Sequence, residues 1–493
     1  MTLVQQQIFP NEEVKTIKHK NRKNHNQYFT PEIVVEKALA FVQVTNVINM
    51  IDPAVGDGVF LKTASKKWNN AKLFGIDIDS SVIQNLERTK LPNSFYFTAN
   101  SLLEETWEVS DIKKIVSNGG FDLVVGNPPF SSWFQRIKES SVLKNYRLAH
   151  RNGKLMIGQA VEVLFLELFI RLAKNKGHVI IVLPDGILSN PQYRYVREFI
   201  LKETLVKNII SLPRNIFRDT SAKTSILILE KNRKNCLNHL AHLYDFQKTG
   251  IINNVIEVKS DDLVNRMDYY YYNNLKCSNL NELRNIGVKF IALKNFIVYC
   301  KTGKTLYGRE KKFSDKGLRF LHATNITEIG ISYKRDEKFI NPSSKMNFPN
   351  AYAKVGDILF VRVGVGCAGR VAIVDAKEDE GIATDYIHIF RVKEINPYFL
   401  VVYLKTKFGK DFINILKHGV GTVSINKTDL LSLPVPILSE GFQQKIEQKY
   451  RIILSQYRRD GECRKLKERL TILVHELEKE LTLYKSEEHY VEM

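Results

Sequence analysis

The sequence NPPF, residues 127–130, closes the apolar run FDLVVG and holds residue types that could do chemistry. An amino group conjugated to a π-system, as on adenine, cytosine or a glutamine amide, is a poor nucleophile because its lone pair is delocalised. Acceptors placed around the NH2 draw the nitrogen out of the plane and restore its nucleophilicity. The side-chain oxygen of Asn127 and the backbone carbonyl of Pro128 are two such acceptors, and neither needs to titrate. Pro129 fixes its own φ and restricts Pro128 before it, so that carbonyl is aimed in advance. Phe130 offers a flat face on which a planar substrate can stack.

Upstream, IDPAVGDGVF (51–60) ends an apolar strand-like run and leads into a helix-like one, with Gly56 and Gly58 in the turn. Glycine lets such a turn pass close beneath a ligand. In GIDID, Asp77 stands nineteen residues after Gly58, where a carboxylate at a strand end can accept from both hydroxyls of a ribose. A nucleoside-containing cofactor is expected. The chain has neither GxxxxGK[ST] nor GxGxxG at this turn, which argues against a triphosphate and a dinucleotide.

These residues must be positioned by the elements around them. Strands are expected at 47–52, 71–78, 121–127, 178–184, 205–213 and 224–231, with a helix over 158–177 stopped by Gly177. Nearly continuous apolar strands alternating with helices predict an α/β fold whose parallel sheet is covered on both faces. Beyond about residue 232 the texture changes to a basic, polar stretch and then RMDYYYYNN, so a boundary is expected between 232 and 290. From 290 to 440 the runs are shorter and glycine alternates with valine, as in tight β-turns. Leu466, Leu470, Leu473, Leu477, Leu481 and Tyr484 then form one apolar helical stripe, facing either its own domain or a second copy.

The composition of the 493-residue chain is ordinary for a globular protein, except for a formal charge of +20. Such a surplus attracts a polyanion, with nucleic acid the leading partner. Five cysteines without a CxxC pair suggest neither a zinc knuckle nor a disulfide framework, and no metal is expected. With no signal-like segment and no apolar run of membrane-span length, a soluble cytoplasmic protein away from membranes is expected.

Residues 25–231 resemble the catalytic domain of the γ-order amino-group DNA methyltransferases that modify adenine N6, as in type I modification subunits and single-chain type II enzymes. The matching pieces are QYFTP (27–31), DPAVGDGVF (52–60), GIDID (75–79) and NPPF, in family order, followed by HVIIVLPDGIL, REFILKE, IISLPRNIF and AKTSILILEK. The resemblance implies a Rossmann-like domain with a mostly parallel twisted sheet and S-adenosyl-L-methionine as cofactor. It implies that Thr30 sits near the methionine carboxylate, that Asp52, Ala54 and Gly56 line the methionine portion, and that Asp77 holds the ribose. Asn127, Pro128, Pro129 and Phe130 would receive an adenine flipped out of double-stranded DNA. Two positions depart from the family pattern: Asp57 stands between the glycines, and Asn100 stands where the family has an aspartate on the cofactor's adenine.

Residues 290–440 resemble an α+β target-recognition domain of type I specificity subunits. The carriers are KTGKT, LRFLHATNIT, VGDILFVRVGVGCAGRVAIV, ATDYIHIFRV and INKTDLLSLPVPILSEGFQQKI. Lys301, Lys304, Arg362 and Arg370 are its candidate DNA contacts. The expected organisation is an arm at 1–24, a methyltransferase domain at 25–259, a recognition domain at 260–440 and a long helix at 441–493 for spacing or homodimerisation. Asp245 and EVK (257–259) imitate a metal-nuclease signature, but a nuclease core needs a folded domain of its own of about 100 residues. Any restriction activity would therefore reside in a separate subunit. Competing readings are a methyltransferase of RNA or protein glutamine, and an inactive DNA-binding specificity protein.

Overall fold

The computed structural model describes residues 30–483 apart from 90, 132–135, 215, 218–222, 233–238, 248, 280–281, 284–287, 309–310, 365 and 418–422. The expected arm, positions 27–29 and Tyr484 lie outside the described residues.

In the first half the strands are β1 (Asn49–Asp52), β2 (Lys72–Asp77), β3 (Ser94–Thr98), β4 (Phe121–Gly126), a small hairpin of β5 (His150–Arg151) and β6 (Lys154–Leu155), β7 (Ala173–Pro184), β8 (Thr204–Ser211), β9 (Thr224–Lys231), β10 (Leu240–Phe246) and β11 (Ile252–Lys259). All except the hairpin join one nine-stranded sheet in the order β3-β2-β1-β4-β7-β9-β8-β10-β11. Neighbours from β3 to β7 run parallel, and β9 lies antiparallel between β7 and β8. Strand β10 is parallel to β8, and β11 closes the edge antiparallel.

All six residues of β4 are buried. Phe121 and Val124 join the apolar cluster on one face, whereas Leu123 and Val125 join that on the other, which explains why the strand reads as uninterruptedly apolar. Helices α1 (Glu32–Ala40), α2 (Val59–Lys67) and α3 (Ser80–Arg88) cover the second face; α4 (Ser110–Ser117) and, after the short α5 (Ser140–Leu143), α6 (Val161–Leu172) cover the first. The expected helix over 158–177 thus ends at Leu172. Gly177 is not its stop: it lies in β7 after the left-handed Lys176, where an added Cβ would come within 2.8 Å of the Phe121 carbonyl.

Two further assignments are corrected. Leu263, Met267, Tyr269 and Tyr272 are buried in the first domain's core, so residues 260–277 belong there and not to the second domain. The connector then docks on the second domain, with the backbone and side-chain N–H groups of Asn279 donating to Asp411 at 2.8 and 3.0 Å.

The second domain has a four-stranded antiparallel sheet ordered Ile297–Thr302, Ile387–Val392, Ile358–Val361, Val371–Ile373, and a mixed sheet built around Leu318–Leu321 and Gly381–Ala383. Helix Pro397–Lys405 is buried almost throughout. The segment expected as one long helix is two, Glu440–Asp460 and Arg464–Leu483, broken at Gly461 with φ 74°. Lys445 and Lys449 pair with Glu476 across them. Leu466, Leu470, Leu473, Leu477 and Leu481 are buried in this domain's own core, so the stripe offered to a second copy is covered by the chain itself.

Candidate active site

Parallel strands deliver their carboxyl ends to one edge, where ligands of open α/β sheets bind. The loops after β1, β2, β3 and β4 meet at this edge and are fastened to one another. The Gly56 N–H donates to Asp77 Oδ2 at 3.1 Å, and Asp79 N–H donates to the other carboxylate oxygen at 3.0 Å. The Ala99 N–H donates to the Asp77 carbonyl, extending the β2–β3 ladder until Asn100 stands beside it. Ser101 Oγ donates to the Pro53 carbonyl at 2.6 Å.

The two glycines of the first loop serve different purposes. An added Cβ at Gly58 would come within 2.7 Å of Leu86 Cδ2, so this glycine lets α3 pack close. At Gly56, where φ is +50°, an added Cβ meets no atom within 4 Å. Its backbone is shaped for an open hollow at the strand edge. Three carboxylates lie on the loops beside that hollow. Burial pushes Asp52 well above the usual carboxylate range, with Asp77 and Asp57 adding repulsion, and burial also raises Asp57 and Asp77. A cation placed among the three would relieve the cost of their charge.

At the end of β4, Gly126 has φ +152°, and an added Cβ would lie 2.5 Å from Asp52 Oδ1. That contact requires glycine and sets NPPF against the Asp52 loop. Asn127 Nδ2 donates to Thr30 Oγ1 at 3.2 Å, a bond across 97 residues. The amide is thereby oriented, and its Oδ1 is buried with no hydrogen-bond partner. An acceptor left unmade in the interior is costly unless something else occupies it.

Thr30, Asp52, Ala54, Gly56, Asp77, Asn100 and Asn127 are thus brought to one edge. Phe130 departs from expectation: its ring is 3% exposed within the cluster containing Val125, Leu212 and Phe217, so it anchors the corner and presents no free face. Asn100 Oδ1 accepts from Leu102 N–H at 3.1 Å in a local turn. Glu162 was missed by sequence reasoning. At the start of α6 it accepts from the Ser131 N–H at 2.7 Å and Oγ at 2.8 Å, pinning the residue after NPPF. Its signal was available, because a glutamate among the apolar residues that open this helix must be bonded to something fixed.

The recognition candidates differ among themselves. Lys301 is exposed, Lys304 lies over the Phe348 ring at 4.6 Å, and Arg362 and Arg370 donate to the Asp385 and Gly366 carbonyls. The nuclease-like residues do not converge: Asp245 pairs with Asn253 across β10 and β11, and Glu257 with His242. A cavity of about 310 Å³ lies between the domains, lined by Asp185, Ser189, Arg266, Asp268, Tyr271 and Lys417, and none of the NPPF residues borders it.

The family model described as N-6 DNA Methylase matches residues 14–282, more than half of the chain. The chain belongs to that family. A second model, Type I restriction modification DNA specificity domain, matches residues 285–468, leaving only two residues between the matches. The type I restriction enzyme MpnII methylase subunit of Mycoplasma pneumoniae is 27% identical over 226 residues, 43% of this chain and 41% of that protein. The corresponding EcoEI subunit of Escherichia coli is 25% identical, covering 43% of each. The chain therefore spans about two fifths of the length of these curated relatives. The type IIL restriction-modification enzyme MmeI, solved in complex with DNA, superposes with a TM-score of 0.56 at 12% identity over 92% of this chain and 73% of that one. The chain thus shares its fold with MmeI. Among the described residues no helix is long and apolar enough to cross a membrane.

Proposed function

We propose that this chain is a site-specific adenine-N6 DNA methyltransferase using S-adenosyl-L-methionine, with residues 30–277 performing the transfer and the following domain reading the sequence. The observation that carries the reading is the buried, unpartnered Oδ1 of Asn127, oriented by Thr30 at a proline-fixed corner beside the Gly56 hollow.

The hollow fits the cofactor. Its ammonium and sulfonium are the cations that Asp52, Asp57 and Asp77 call for, and a loop without a Cβ at Gly56 admits it. When bound, the cofactor supplies an electrophilic methyl group. Thr30 and the Asp52–Ala54 loop would hold the amino-acid end, Asp77 the ribose, and Asn100 the adenine edge. Asn127 Oδ1 and the Pro128 carbonyl accept from the target N6 amino group, concentrating its lone pair on nitrogen. Pro129 keeps that carbonyl aimed, and Phe130 anchors the corner, which spares the acceptors any reorganisation at the moment of reaction. Phosphate contacts drawn from the +20 surplus would hold the duplex. The protein would act in the cytoplasm, with any nuclease on a separate subunit.

The test is expression alone in a methylation-free bacterial host, with modified adenines mapped by single-molecule sequencing and Asn127→Ala as comparison. One sequence motif methylated by the wild type and unmodified with Asn127→Ala supports the reading. An unmodified genome with folded, soluble wild type counts against self-sufficient DNA methylation.

A further inference from the structure

Ile157 is 92% exposed, more than any other large apolar side chain among the described residues. Its backbone is nonetheless pinned on both sides. The Met156 N–H donates to the Ala149 carbonyl at 2.9 Å, and Gln159 and Ile137 exchange two backbone bonds at 2.9 Å. The buried Gln159 side chain donates to the Leu148 carbonyl and to Tyr195 Oη, and Arg136 donates to the Gly158 carbonyl. Before it comes the β5–β6 hairpin, closed by Asn152 and Gly153, both with positive φ. A rigid platform holding an isoleucine in water is a costly arrangement that suits insertion into something apolar.

Topology places that platform at the active edge. The chain leaves β4 at NPPF and re-enters the fold through α6, which returns antiparallel to the strands and so starts at their carboxyl ends. Glu162, five residues beyond Ile157, holds Ser131 directly after NPPF. Five residues span at most about 18 Å. The surrounding surface is basic: residues 136–157 contain six Lys or Arg against one acid, Glu139. Lys138, Lys144, Arg151 and Lys154 are exposed and form no ion pair among the described residues. An apolar tip rimmed by cations suits a nucleic-acid duplex, whose phosphates meet the cations while its base stack receives the tip.

We propose that Ile157 is a wedge that enters the duplex beside the target adenine and occupies the gap left when that base turns into NPPF. The proposal rests on the methyl-transfer reading above. A wedge of this kind offsets the unstacking that extrusion of a paired base requires.

The test uses the full chain and a duplex carrying its mapped recognition sequence for single-turnover methylation, with a companion duplex in which 2-aminopurine replaces the target adenine for fluorescence. A second duplex carries a mismatch opposite the target adenine, which weakens its pairing in advance. Ile157→Ala should slow methylation of the paired duplex by about tenfold or more and diminish the fluorescence rise, with the mismatch restoring the rate to within about threefold of wild type. Ile157→Leu should keep the wild-type rate. Wild-type behaviour of Ile157→Ala on the paired duplex overturns the wedge and leaves this side chain to a protein contact. Equal slowing on both duplexes also overturns it, because extrusion would not be the impaired step. Failure of the wild type to methylate either duplex instead removes the reading beneath it.

Discussion

The Thr30 hydroxyl and the Asn127 amide form a pair in which one residue aims the other. Removing the hydroxyl frees the amide to rotate, and a freed acceptor spends much of its time misaimed. Thr30→Val is therefore expected to lower the single-turnover rate about tenfold while DNA affinity changes less than about threefold, measured by rapid quench and fluorescence anisotropy. Undiminished turnover would make the Thr30 bond ornamental. The glycine contrast is equally testable. Gly56→Ala should leave the chain folded at a cost of about 1 kcal/mol for its left-handed backbone and weaken cofactor binding by about tenfold or more in calorimetry. Gly58→Ala should chiefly lower the melting temperature, since its Cβ meets Leu86. At this scale the sequence was readable in placement, since the loops carrying Asp52, Asp77 and Asn127 do meet at one edge of the sheet. Phe130 was less legible, because a ring beside that asparagine serves equally as a stacking face and as a buried anchor, and only packing decides between them.

Strand by strand, the legible elements were those buried on both faces, such as β4 and β9. Strand β3, SFYFT, is only half covered and alternates too irregularly to announce itself. Strands β10 and β11, the last two at one end of the sheet, carry His242, Asp245 and Glu257, polar residues that interrupt the apolar pattern. The element after β7 carries a pH dependence. Burial pushes the Asp185 carboxyl up to about 6, against the pull of Lys223. The folded chain thus binds this proton more tightly than the unfolded one, so its stabilisation is complete below the ordinary value of 3.8 and lost as the pH rises through about 6. Asp185→Asn keeps an acceptor for Ser225 Oγ and never ionises. Its stability relative to wild type should rise by up to about 3 kcal/mol between about pH 4 and pH 7, followed by urea unfolding at each pH. A pH-independent difference would show that the Asp185 carboxyl titrates in the fold as it does in the unfolded chain.

For the whole molecule, the helix pair after Ser439 decides where the second domain ends. The texture of the sequence announced the change of domain but not its position, because the tyrosines at 269–272 read as a polar connector while Tyr269 and Tyr272 are buried in the first core. Gly461 was a visible break that the expectation of one long helix over 441–493 passed over. Tyr450 Oη donates to the Ile329 carbonyl at 2.6 Å, and Tyr457 Oη meets Thr327 Oγ1 at 3.0 Å. A chain truncated after Ser439 is therefore expected to lose protease resistance across residues 290–439 while the first domain survives limited digestion. A resistant second domain would mean that the helices are a detachable spacer.

That fold-back also governs how target preference could be inherited. A gene exchange that replaced only residues 290–439 would leave the newcomer seated on leucines and tyrosines fitted to another body. A viable chimaera would have to carry the donor's helix pair along, with its upstream crossover in the short connector after Cys277. Under the function proposed above, the unit of heredity for specificity is then the whole second half, which would change the target without disturbing Thr30, Asn127 or the loops they join.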